Sequence, residues 1–578
     1  MILINPSNKT ILEELKSQDT LIECPCRGLG TCGKCKVKIL SGKVTPTTSD
    51  EINLLSAEEI SNNIRLACQT KAISDIQINL LFKNTTSSKI LTDGYMPKFN
   101  INPTLRKVKV SLNKSDLSNF KNVSEYFSKS MNIKSPLSIN LLKKLPMLLD
   151  AEYGDIIMYN DEILDIGDSI DKFYGIAIDI GTTTVACSLI DMTTFKEVDS
   201  SSFINPQKEF GLDVLSRIHY ANETPDGIDN LQHSIVKEIN SNIEILCVKN
   251  NLTKTSIYEV VIGANSTMLH CLLGIPINTL GKSPYASVFT DSICTNAIDI
   301  GININSRGKI YCIPSVSTYI GGDIVSGILA SKLYEKKENT LFIDIGTNGE
   351  IVLCKDGNLI SCSCAAGPAL EGMNISCGMR AANGAIEGVK IVNNHISLKI
   401  IEDNIPTGIC GSGILEVVSE LLSNEIIGTN GRLKSDSPLV YETDGKLSMT
   451  LYEGKNKIYI TQKDIRQVQL SKGAILSGFL ALLKYKNITM DDLDTVMIAG
   501  QFGKHLSPES LTGVGIIPKD LINKIEYIGN SSRVGALMCL LSKDEKTRAE
   551  LIAQDVDYIE LSNIEDYEKI FTKALMFN

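Results

Sequence analysis

The sequence predicts a multidomain protein that joins a small N-terminal α+β domain to a much larger, duplicated α/β domain. The chain has 578 residues, which is too long for one hydrophobic core. Five of its 16 cysteines fall within the first 68 residues, which marks that part as a separate region. The pentapeptide Ile-Asp-Ile-Gly-Thr occurs twice, at 178–182 and 343–347. Short apolar strands alternate with helical stretches around both copies, as in layered α/β domains.

The composition excludes several classes of protein. Apolar residues make up 43% and charged residues 21% of the chain, as in ordinary globular proteins. The net charge of −10 argues against a nucleic-acid partner. No run reaches the roughly 18–20 apolar residues that span a bilayer, and the N-terminus lacks the layout of a secretion signal. We therefore expect a cytoplasmic protein without a membrane span, in which clustered cysteines serve metal binding or catalysis.

The pattern of the first hundred residues predicts one small domain followed by a linker. Thr10 and Glu13 form a capping-box pattern before a short helix. Strands are predicted around Lys36–Leu40 and Ile76–Leu80, the second from its alternating apolar residues. The polar segment that starts at Lys83 predicts a linker. The expected domains are 1–82, a linker at 83–100, a middle domain at 101–168 and the duplicated part at 169–578.

The middle domain carries no recognisable chemistry in its sequence. We expect a strand, a helix that begins at Ser115, a second helix near Asn140–Leu149 and a final hairpin. A role in partner binding is an open hypothesis for this domain.

The N-terminal cysteines have the spacing of a metal site. Cys26, Cys32 and Cys35 lie in one glycine-rich loop, and Cys68 follows at a distance. Plant-type 2Fe–2S proteins use C-x4-C-x2-C and a distant fourth cysteine, so the first gap here is one residue longer. Zinc bound by the first three and Cys24 is the alternative, with Cys68 outside the site. In the iron–sulfur interpretation, Cys24 is an additional or substitute ligand.

Both copies of the repeated pentapeptide predict a phosphate-binding turn. An apolar strand brings Asp179 or Asp344 to its end, and a Gly-Thr turn follows each. Backbone N–H groups and hydroxyls in such a turn can hold phosphate oxygens, and the carboxylate can hold Mg2+. One copy alone could be an ordinary hairpin, whereas two copies favour a nucleotide site between two related subdomains.

Two further glycine turns are candidates for nucleotide contacts. Gly411 and Gly413 open a predicted helix whose N-terminus could face phosphate or ribose. Gly500 and Gly503 follow a buried strand, and their small size would admit a flat adenine.

These motifs resemble a known combination of domains. The paired motifs and the late AGQFG resemble the superfamily of acetate and sugar kinases, heat-shock chaperones and actin, whose members clamp ATP between duplicated subdomains. An N-terminal 2Fe–2S domain joined to that fold resembles the reductive activators of corrinoid-dependent proteins. The resemblance covers nearly the whole chain and includes ECPCRGLGTCGKC, YGIAIDIGTTTVA, LFIDIGTNGEI and CAAGPALEGMNISCGMRAANGAIEGV. It implies a β-grasp ferredoxin-like domain, a small middle domain and a large actin/sugar-kinase-like ATPase domain.

The resemblance also implies site residues. The implied cluster ligands are Cys26, Cys32, Cys35 and Cys68. The implied first phosphate loop contains Asp179, Gly181, Thr182 and Thr183, and the second contains Asp344, Gly346 and Thr347. Gly500 and Gly503 would contact adenosine, and Asp323 and Glu371 would be further carboxylates of the cleft.

The implied function is ATP-dependent reductive activation of a corrinoid protein. One electron from the 2Fe–2S cluster would convert inactive Co(II) to Co(I) for methyl transfer, with Mg2+ and ATP as cofactors. The implied partners are the corrinoid protein and an unidentified low-potential electron donor, and the chain would be a homodimer. The alternatives are a small-molecule kinase with a structural metal site, an activator of a radical dehydratase, and an ATP-dependent docking protein for another metalloenzyme.

Overall fold

The computed structural model describes residues 2–18, 28, 30, 33, 35–80, 95–133, 136–151, 153–403, 405–443, 445–454, 457–500 and 506–577. The chain forms two compact units. The first comprises Met1–Ser88 together with Pro206–Gly227, and the second comprises Lys89–Asn205 together with Ile228–Asn578. A short segment from the middle of the sequence therefore belongs to the N-terminal unit.

The N-terminal unit is built on a four-stranded antiparallel sheet in the order β1-β4-β2-β3. Its elements are β1 (Ile2–Ile4), α1 (Ile11–Ser17), β2 (Lys36–Ser41), α2 (Ser49–Leu54), α3 (Ala57–Ser61), β3 (Ile64–Leu66) and β4 (Ile76–Leu80). The predicted capping box is confirmed, because the Thr10 N–H donates to Glu13 and the Glu13 N–H donates to Thr10 Oγ1. The two predicted strands are confirmed as β2 and β4.

A buried ion pair stabilises the segment that leads into Cys68. The Arg65 guanidinium donates to both carboxylate oxygens of Glu51, at 2.9 and 2.7 Å. Glu51 is fully buried and also accepts from the Leu66 N–H and the Thr70 hydroxyl. Burial raises the pKa of Glu51, but these donors outweigh it and the net shift is downward. The carboxylate is therefore ionised and ties α2 to the end of β3.

The middle domain is a three-stranded sheet, β5-β6-β7, with two helices. Its elements are β5 (Leu105–Ser111), α4 (Val123–Ser130), α5 (Ile139–Ala151), β6 (Tyr153–Tyr159) and β7 (Glu162–Gly167). The helix expected to begin at Ser115 is present as a 3-10 helix, Lys114–Asn119, which ends at an extended Phe120. The α-helix starts later, where the Asn122 side chain caps the Glu125 N–H.

The first half of the duplicated part contains a six-stranded sheet in the order β10-β9-β8-β11-β13-β12. Its elements are β8 (Tyr174–Ile180), β9 (Thr184–Asp191), β10 (Lys196–Ile204), α7 (Gly227–Lys249), β11 (Ile257–Ala264), α8 (Ser266–Leu273), β12 (Ile293–Asn296), β13 (Lys309–Cys312) and α9 (Gly322–Ser331). Helix α6 (Val214–Glu223) lies between β10 and α7 in sequence but belongs to the N-terminal unit.

The second half contains a six-stranded sheet in the order β24-β23-β14-β15-β16-β25 and two three-stranded sheets, β18-β17-β19 and β20-β21-β22. Its strands are β14 (Thr340–Ile345), β15 (Gly349–Lys355), β16 (Asn358–Cys364), β17 (Ala385–Val392), β18 (His395–Ile400), β19 (Gly408–Ile409), β20 (Val440–Thr443), β21 (Lys446–Tyr452), β22 (Ile458–Thr461), β23 (Thr495–Ala499), β24 (Ile525–Gly529) and β25 (Asp557–Tyr558). Its helices are α10 (Gly411–Ser423), α11 (Gln462–Lys486), α12 (Pro508–Val514), α13 (Ser531–Leu541), α14 (Lys543–Asp555) and α15 (Tyr567–Ala574).

The two large sheets repeat one pairing pattern. Strand β8 pairs antiparallel with β9 and parallel with β11. In the same way, β14 pairs antiparallel with β15 and parallel with β23. The duplication predicted from the repeated pentapeptide is thus confirmed. A shared core that includes Val325, Phe342 and Met538 packs α9 and α13 between the halves. Among the described residues, no helix is both long and apolar enough to cross a bilayer.

Candidate functional site

The sheet of the N-terminal unit brings two predicted cluster ligands together. Cys35 immediately precedes β2 and Cys68 follows β3, and these two strands pair antiparallel. The Ala67 N–H donates to the Cys35 carbonyl at 2.8 Å. Both cysteines are buried, with 1% and 6% exposure. Cys24, Cys26 and Cys32 lie outside the described residues.

The described part of the cysteine loop turns at three glycines, and a hydrogen bond joins it to Gln69, the residue after Cys68. Gly28, Gly30 and Gly33 have φ values of 92°, 73° and 65°, which favour glycine. The Gln69 side-chain amide donates to the Gly28 carbonyl at 2.8 Å and lies 3.8 Å from Cys68 Sγ. Amide donors next to ligating sulfurs tune iron–sulfur clusters. The arrangement favours the ferredoxin ligand set, which includes Cys68, over the zinc set, which does not.

Residues at the start of α13 position the aspartate of the predicted first phosphate loop. Asp179 ends β8, and its carboxylate accepts from Asn530 Nδ2 at 2.9 Å and Ser532 Oγ at 2.7 Å. The Asn530 amide is oriented by its other atom, because Oδ1 caps the Arg533 N–H. Burial raises the pKa of Asp179, while these two hydrogen bonds and the Arg533 charge oppose the rise. The aspartate is therefore positioned from a segment distant in sequence.

The hydroxyl-bearing turn of the first loop is also held in place. The Gly181 N–H donates to the Thr184 carbonyl at 2.9 Å. Asn265, the N-cap of α8, donates from Nδ2 to Thr182 Oγ1 at 3.2 Å and caps the Met268 N–H with Oδ1. The turn is thus fixed against the helix that follows β11.

The second phosphate loop places its aspartate opposite another carboxylate. Asp344 on β14 pairs directly with Glu350 on β15. Side chains of directly opposite residues lie on the same face of an antiparallel pair, so the two acids face each other. Burial and the charges of Asp323 and Asp179 raise the pKa of Asp344 to about 8. Gly500 has a φ of 98°, and a Cβ there would lie 2.7 Å from Asp344 Oδ1, so the backbone after β23 closes on this carboxylate.

Four acids form one electrostatic group, which we call the acidic quartet: Asp179 and Glu350, which are buried, and Asp323 and Asp344, which are half-buried. Burial and the Asp179 charge raise the pKa of Asp323, in the first turn of α9, to about 7. Burial, followed by the charges of Asp323 and Asp344, raises the pKa of Glu350 well above its usual range. A bound divalent cation would lower all four pKa values, and carboxylate oxygens are the ligands that Mg2+ prefers. Among the described residues, however, no three acidic, histidine or cysteine side chains are gathered into a metal-binding cluster, so the quartet is not a complete magnesium site.

Glu371 contacts both phosphate loops. Its Oε2 accepts from the Thr183 hydroxyl at 2.8 Å, and its Oε1 accepts from the Thr347 hydroxyl at 2.5 Å. Burial raises the pKa of Glu371, while both hydroxyls and the charge of Arg380 oppose the rise. A residue predicted only as a cleft carboxylate thus joins the hydroxyls of the two loops.

The other predicted glycines have packing partners. A Cβ on Gly411, the first residue of α10, would lie 2.0 Å from the Leu370 carbonyl oxygen. A Cβ on Gly413 would lie 2.1 Å from the Ile386 carbonyl oxygen, so its small size is needed for helix packing. The Gly346 N–H donates to the Asn348 carbonyl at 3.0 Å and closes the second turn. Gly503 lies outside the described residues, and nucleotide contacts of these glycines stay a prediction.

Sequence reasoning missed four polar residues of the cleft: Asn265, Glu350, Asn530 and Ser532. Glu350 lies three residues after the second pentapeptide. Treating this segment as a strand–turn–strand unit would have placed Glu350 opposite Asp344. Asn530 and Ser532 follow a strand and Gly529 at the start of a helix, a pattern that indicates an N-cap. Only the fold shows that they reach Asp179.

Three family models match successive parts of the chain. Residues 2–72 match the 2Fe-2S iron-sulfur cluster binding domain. Residues 174–336 match the RACo middle region, which corresponds to the first half of the duplicated part. Residues 338–578 match the C-terminal domain of RACo, described as the ASKHA domain.

Two curated relatives and one solved structure each match 70% or more of the chain. The corrinoid activation enzyme RamQ of Eubacterium limosum is 30% identical over 576 residues, covering 96% of this chain and 93% of RamQ. The [Co(II) methylated amine-specific corrinoid protein] reductase of Methanosarcina barkeri is 25% identical over 439 residues, covering 70% of this chain and 77% of that protein. The solved structure of a reductive activator for corrinoid, iron-sulfur protein superposes with a TM-score of 0.75 at 32% identity, covering 99% of this chain and 96% of that one.

Proposed function

This chain belongs to the family of corrinoid activation enzymes that includes RamQ, and we propose that it reduces inactive Co(II) of a corrinoid protein to Co(I) with the help of ATP. The observation that carries the proposal is the full-length relationship to RamQ, which spans both the cysteine site and the nucleotide cleft. The corrinoid protein is the substrate, and Co(I) is the state that accepts a methyl group.

The N-terminal unit provides the electron. Cys35 and Cys68 would hold a 2Fe–2S cluster together with Cys26 and Cys32, and the cluster supplies one-electron transfer at low potential. The Gln69 amide is 3.8 Å from Cys68 Sγ, where a donor stabilises negative charge on sulfur. The buried Glu51–Arg65 pair fixes the backbone on which Cys68 is placed. An unidentified low-potential donor must return one electron to the cluster after each transfer.

The duplicated part provides the nucleotide cleft. Thr182, Thr183 and Thr347 present hydroxyls from the two predicted phosphate loops. One or two carboxylates of the acidic quartet would contact the Mg2+ of Mg-ATP, with phosphate oxygens and water as its other ligands. Reaching Co(I) is uphill for plant-type ferredoxins, whose potentials are about −400 mV. Each 59 mV of mismatch costs about tenfold in the equilibrium constant of a one-electron step. ATP can make this electron transfer favourable only if it binds one state of the protein more tightly than another.

The two sites can be separated experimentally. Cys32→Ala should abolish ATP-dependent formation of Co(I), followed by visible absorption of the corrinoid protein under anaerobic conditions, and should leave Mg-ATP binding intact. Asp179→Ala should remove Mg-ATP binding and leave the iron and sulfide content unchanged. Cys247→Ala, at a buried cysteine of α7, is the matched control and should retain both properties.

The metal content provides the deciding measurement. Two irons and two sulfides per chain are expected after anaerobic purification, with a 2Fe–2S signal in the electron paramagnetic resonance spectrum of the reduced protein. One zinc and no iron would overturn the redox mechanism. We also propose a homodimer, as the family resemblance implies, and light scattering of the purified chain tests it.

A further inference from the structure

A single buried side chain connects the two predicted phosphate loops. Thr183 and Thr347 belong to the two separate hairpins, yet both hydroxyls donate to the carboxylate of Glu371. Thr183 and Glu371 are 188 residues apart in sequence. Glu371 is only 3% exposed and its bond with Thr347 is buried, whereas its bond with Thr183 is partly buried. One carboxylate thus joins the two halves of the cleft.

The backbone around Glu371 is fixed from both sides. Glu371 ends a 3-10 turn, Pro368–Glu371, that lies between two glycines with positive φ. The Ser471 hydroxyl of α11 donates to the Ala366 carbonyl at 2.6 Å, just before this turn. The start of α10 packs so closely on Leu370 that a Cβ at Gly411 would lie 2.0 Å from its carbonyl oxygen. The carboxylate is therefore held where both threonines meet.

This arrangement competes with a bound nucleotide. A hydroxyl has one proton to donate, so a threonine that donates to Glu371 cannot donate the same proton to a phosphate oxygen. The carboxylate also places negative charge between the two loops that would hold phosphates, and like charges repel at this range. The observed contacts and a triphosphate that uses both hydroxyls therefore exclude each other.

We propose that Glu371 is a latch that holds the two predicted phosphate loops together when no nucleotide is bound and is released when the phosphates of a nucleotide take over the threonine hydroxyls. The inference rests on the proposed function, because it requires the cleft to bind Mg-ATP. It adds a switch to that function, since breaking one bridge frees the halves to take a different arrangement. Glu371 is accordingly a positioning residue, and it acts through Thr183 and Thr347.

The test compares Glu371→Gln with wild type in the full-length chain. The amide has no charge, and an NH2 donor replaces one of the two oxygens that accept from the threonines, so one of these two hydrogen bonds is lost. We expect Mg-AMPPNP to bind E371Q about tenfold more tightly in isothermal titration calorimetry, since a latch that competes with the ligand is weakened. The melting temperature of the nucleotide-free protein should fall, and saturating Mg-AMPPNP should remove most of that difference.

Two further variants keep the test decisive. Glu371→Asp retains the charge but is one methylene shorter, so it also cannot bridge both loops and should also bind more tightly. Glu416→Gln is the matched control, because Glu416 accepts from the Val389 N–H and Ser510 Oγ and contacts neither threonine. Its affinity for Mg-AMPPNP should equal that of wild type.

Each alternative gives a different result. Unchanged affinity in E371Q, with equal loss of melting temperature in the empty and bound states, would show a purely structural role and overturn the latch. Weaker binding of Mg-AMPPNP with unchanged binding of metal-free nucleotide would make Glu371 a cation ligand and also overturn it. Wild-type protein that binds no Mg-AMPPNP would overturn the proposed function together with the latch, whereas the other two results leave the proposed function standing.

Discussion

The two Ile-Asp-Ile-Gly-Thr hairpins have the same strand pairing but give their aspartates different surroundings. Asp179 lies opposite Ala186 and accepts hydrogen bonds from Asn530 and Ser532. Asp344 lies opposite Glu350, and burial together with the charges of Asp323 and Asp179 raises its pKa to about 8. A duplicated motif therefore does not give duplicated chemistry. The neighbouring segments provide donors for one carboxylate and additional negative charge for the other.

The largest expected difference between the hairpins comes from neutralising each aspartate. Asp179→Asn should lower the free energy of unfolding by about 1–3 kcal/mol, because an amide cannot satisfy both donors as the carboxylate does. Asp344→Asn should change it by less than about 0.5 kcal/mol at pH 7, because Asp344 is already largely protonated there. Urea unfolding of the nucleotide-free proteins measures both values. Equal losses in the two variants would contradict the electrostatic difference.

The pH dependence of stability should come mainly from two acids, Asp344 of the second hairpin and Asp323 of α9. Asp323 and Asp344 have pKa values of about 7 and about 8 in the folded protein, compared with an ordinary value of 3.8. The folded state thus binds more protons, and stability should fall as the pH rises from about 4 to about 8. Mg-ATP should remove this fall by neutralising the charges. Melting curves that are flat over this range without nucleotide would refute the expectation.

Removing the acid whose charge acts most on Asp344 should make the second hairpin resemble the first. Asp323→Asn retains the size of the side chain but removes a like charge, so the pKa of Asp344 should fall. The pH-dependent loss of stability should become shallower, by about 1 kcal/mol at pH 8. Glu387→Gln on β17 is a control, since Glu387 forms its ion pair with Lys399 instead. An unchanged pH slope would show that Asp323 does not act on Asp344.

The smallest effect is expected at the donors of the first hairpin. Ser532→Ala removes one hydrogen bond to Asp179 and leaves the bond from Asn530. The pKa of Asp179 should rise and the unfolding free energy should drop by about 1 kcal/mol. Double-mutant cycles with Asp179→Asn measure this coupling directly. Independent, additive effects would mean that the hydroxyl does not support the carboxylate.

Local features of the fold could be predicted from sequence because their causes are local. The capping box at Thr10 and Glu13 and the strands β2 and β4 follow from neighbouring residues and from alternating apolar side chains. The helix expected from Ser115 is a short 3-10 helix separate from α4, and the reason is also local. Asn113 and Asn122 each cap a separate turn, and Phe120 between them is extended.

The cleft could be predicted only in part. The repeated pentapeptide indicated both phosphate loops, since strand, turn and hydroxyl are consecutive in the chain. The partners of Asp179 come from a segment 351 residues further on, which no spacing rule connects to it. Glu371 was predicted as a cleft carboxylate, but its contact with both threonines depends on how the two sheets meet. The roles of these residues in nucleotide binding stay predictions.

The raised pKa of Asp344 on β14 also means that the nucleotide-free protein carries a proton at this site at neutral pH. Asp344, with a pKa of about 8, holds a proton at neutral pH, and a cation bound there would displace it. Filling the cleft should then acidify an unbuffered solution. The heat of Mg-ATP binding should consequently depend on the ionisation enthalpy of the buffer, so that Tris and phosphate give different apparent enthalpies for one and the same reaction.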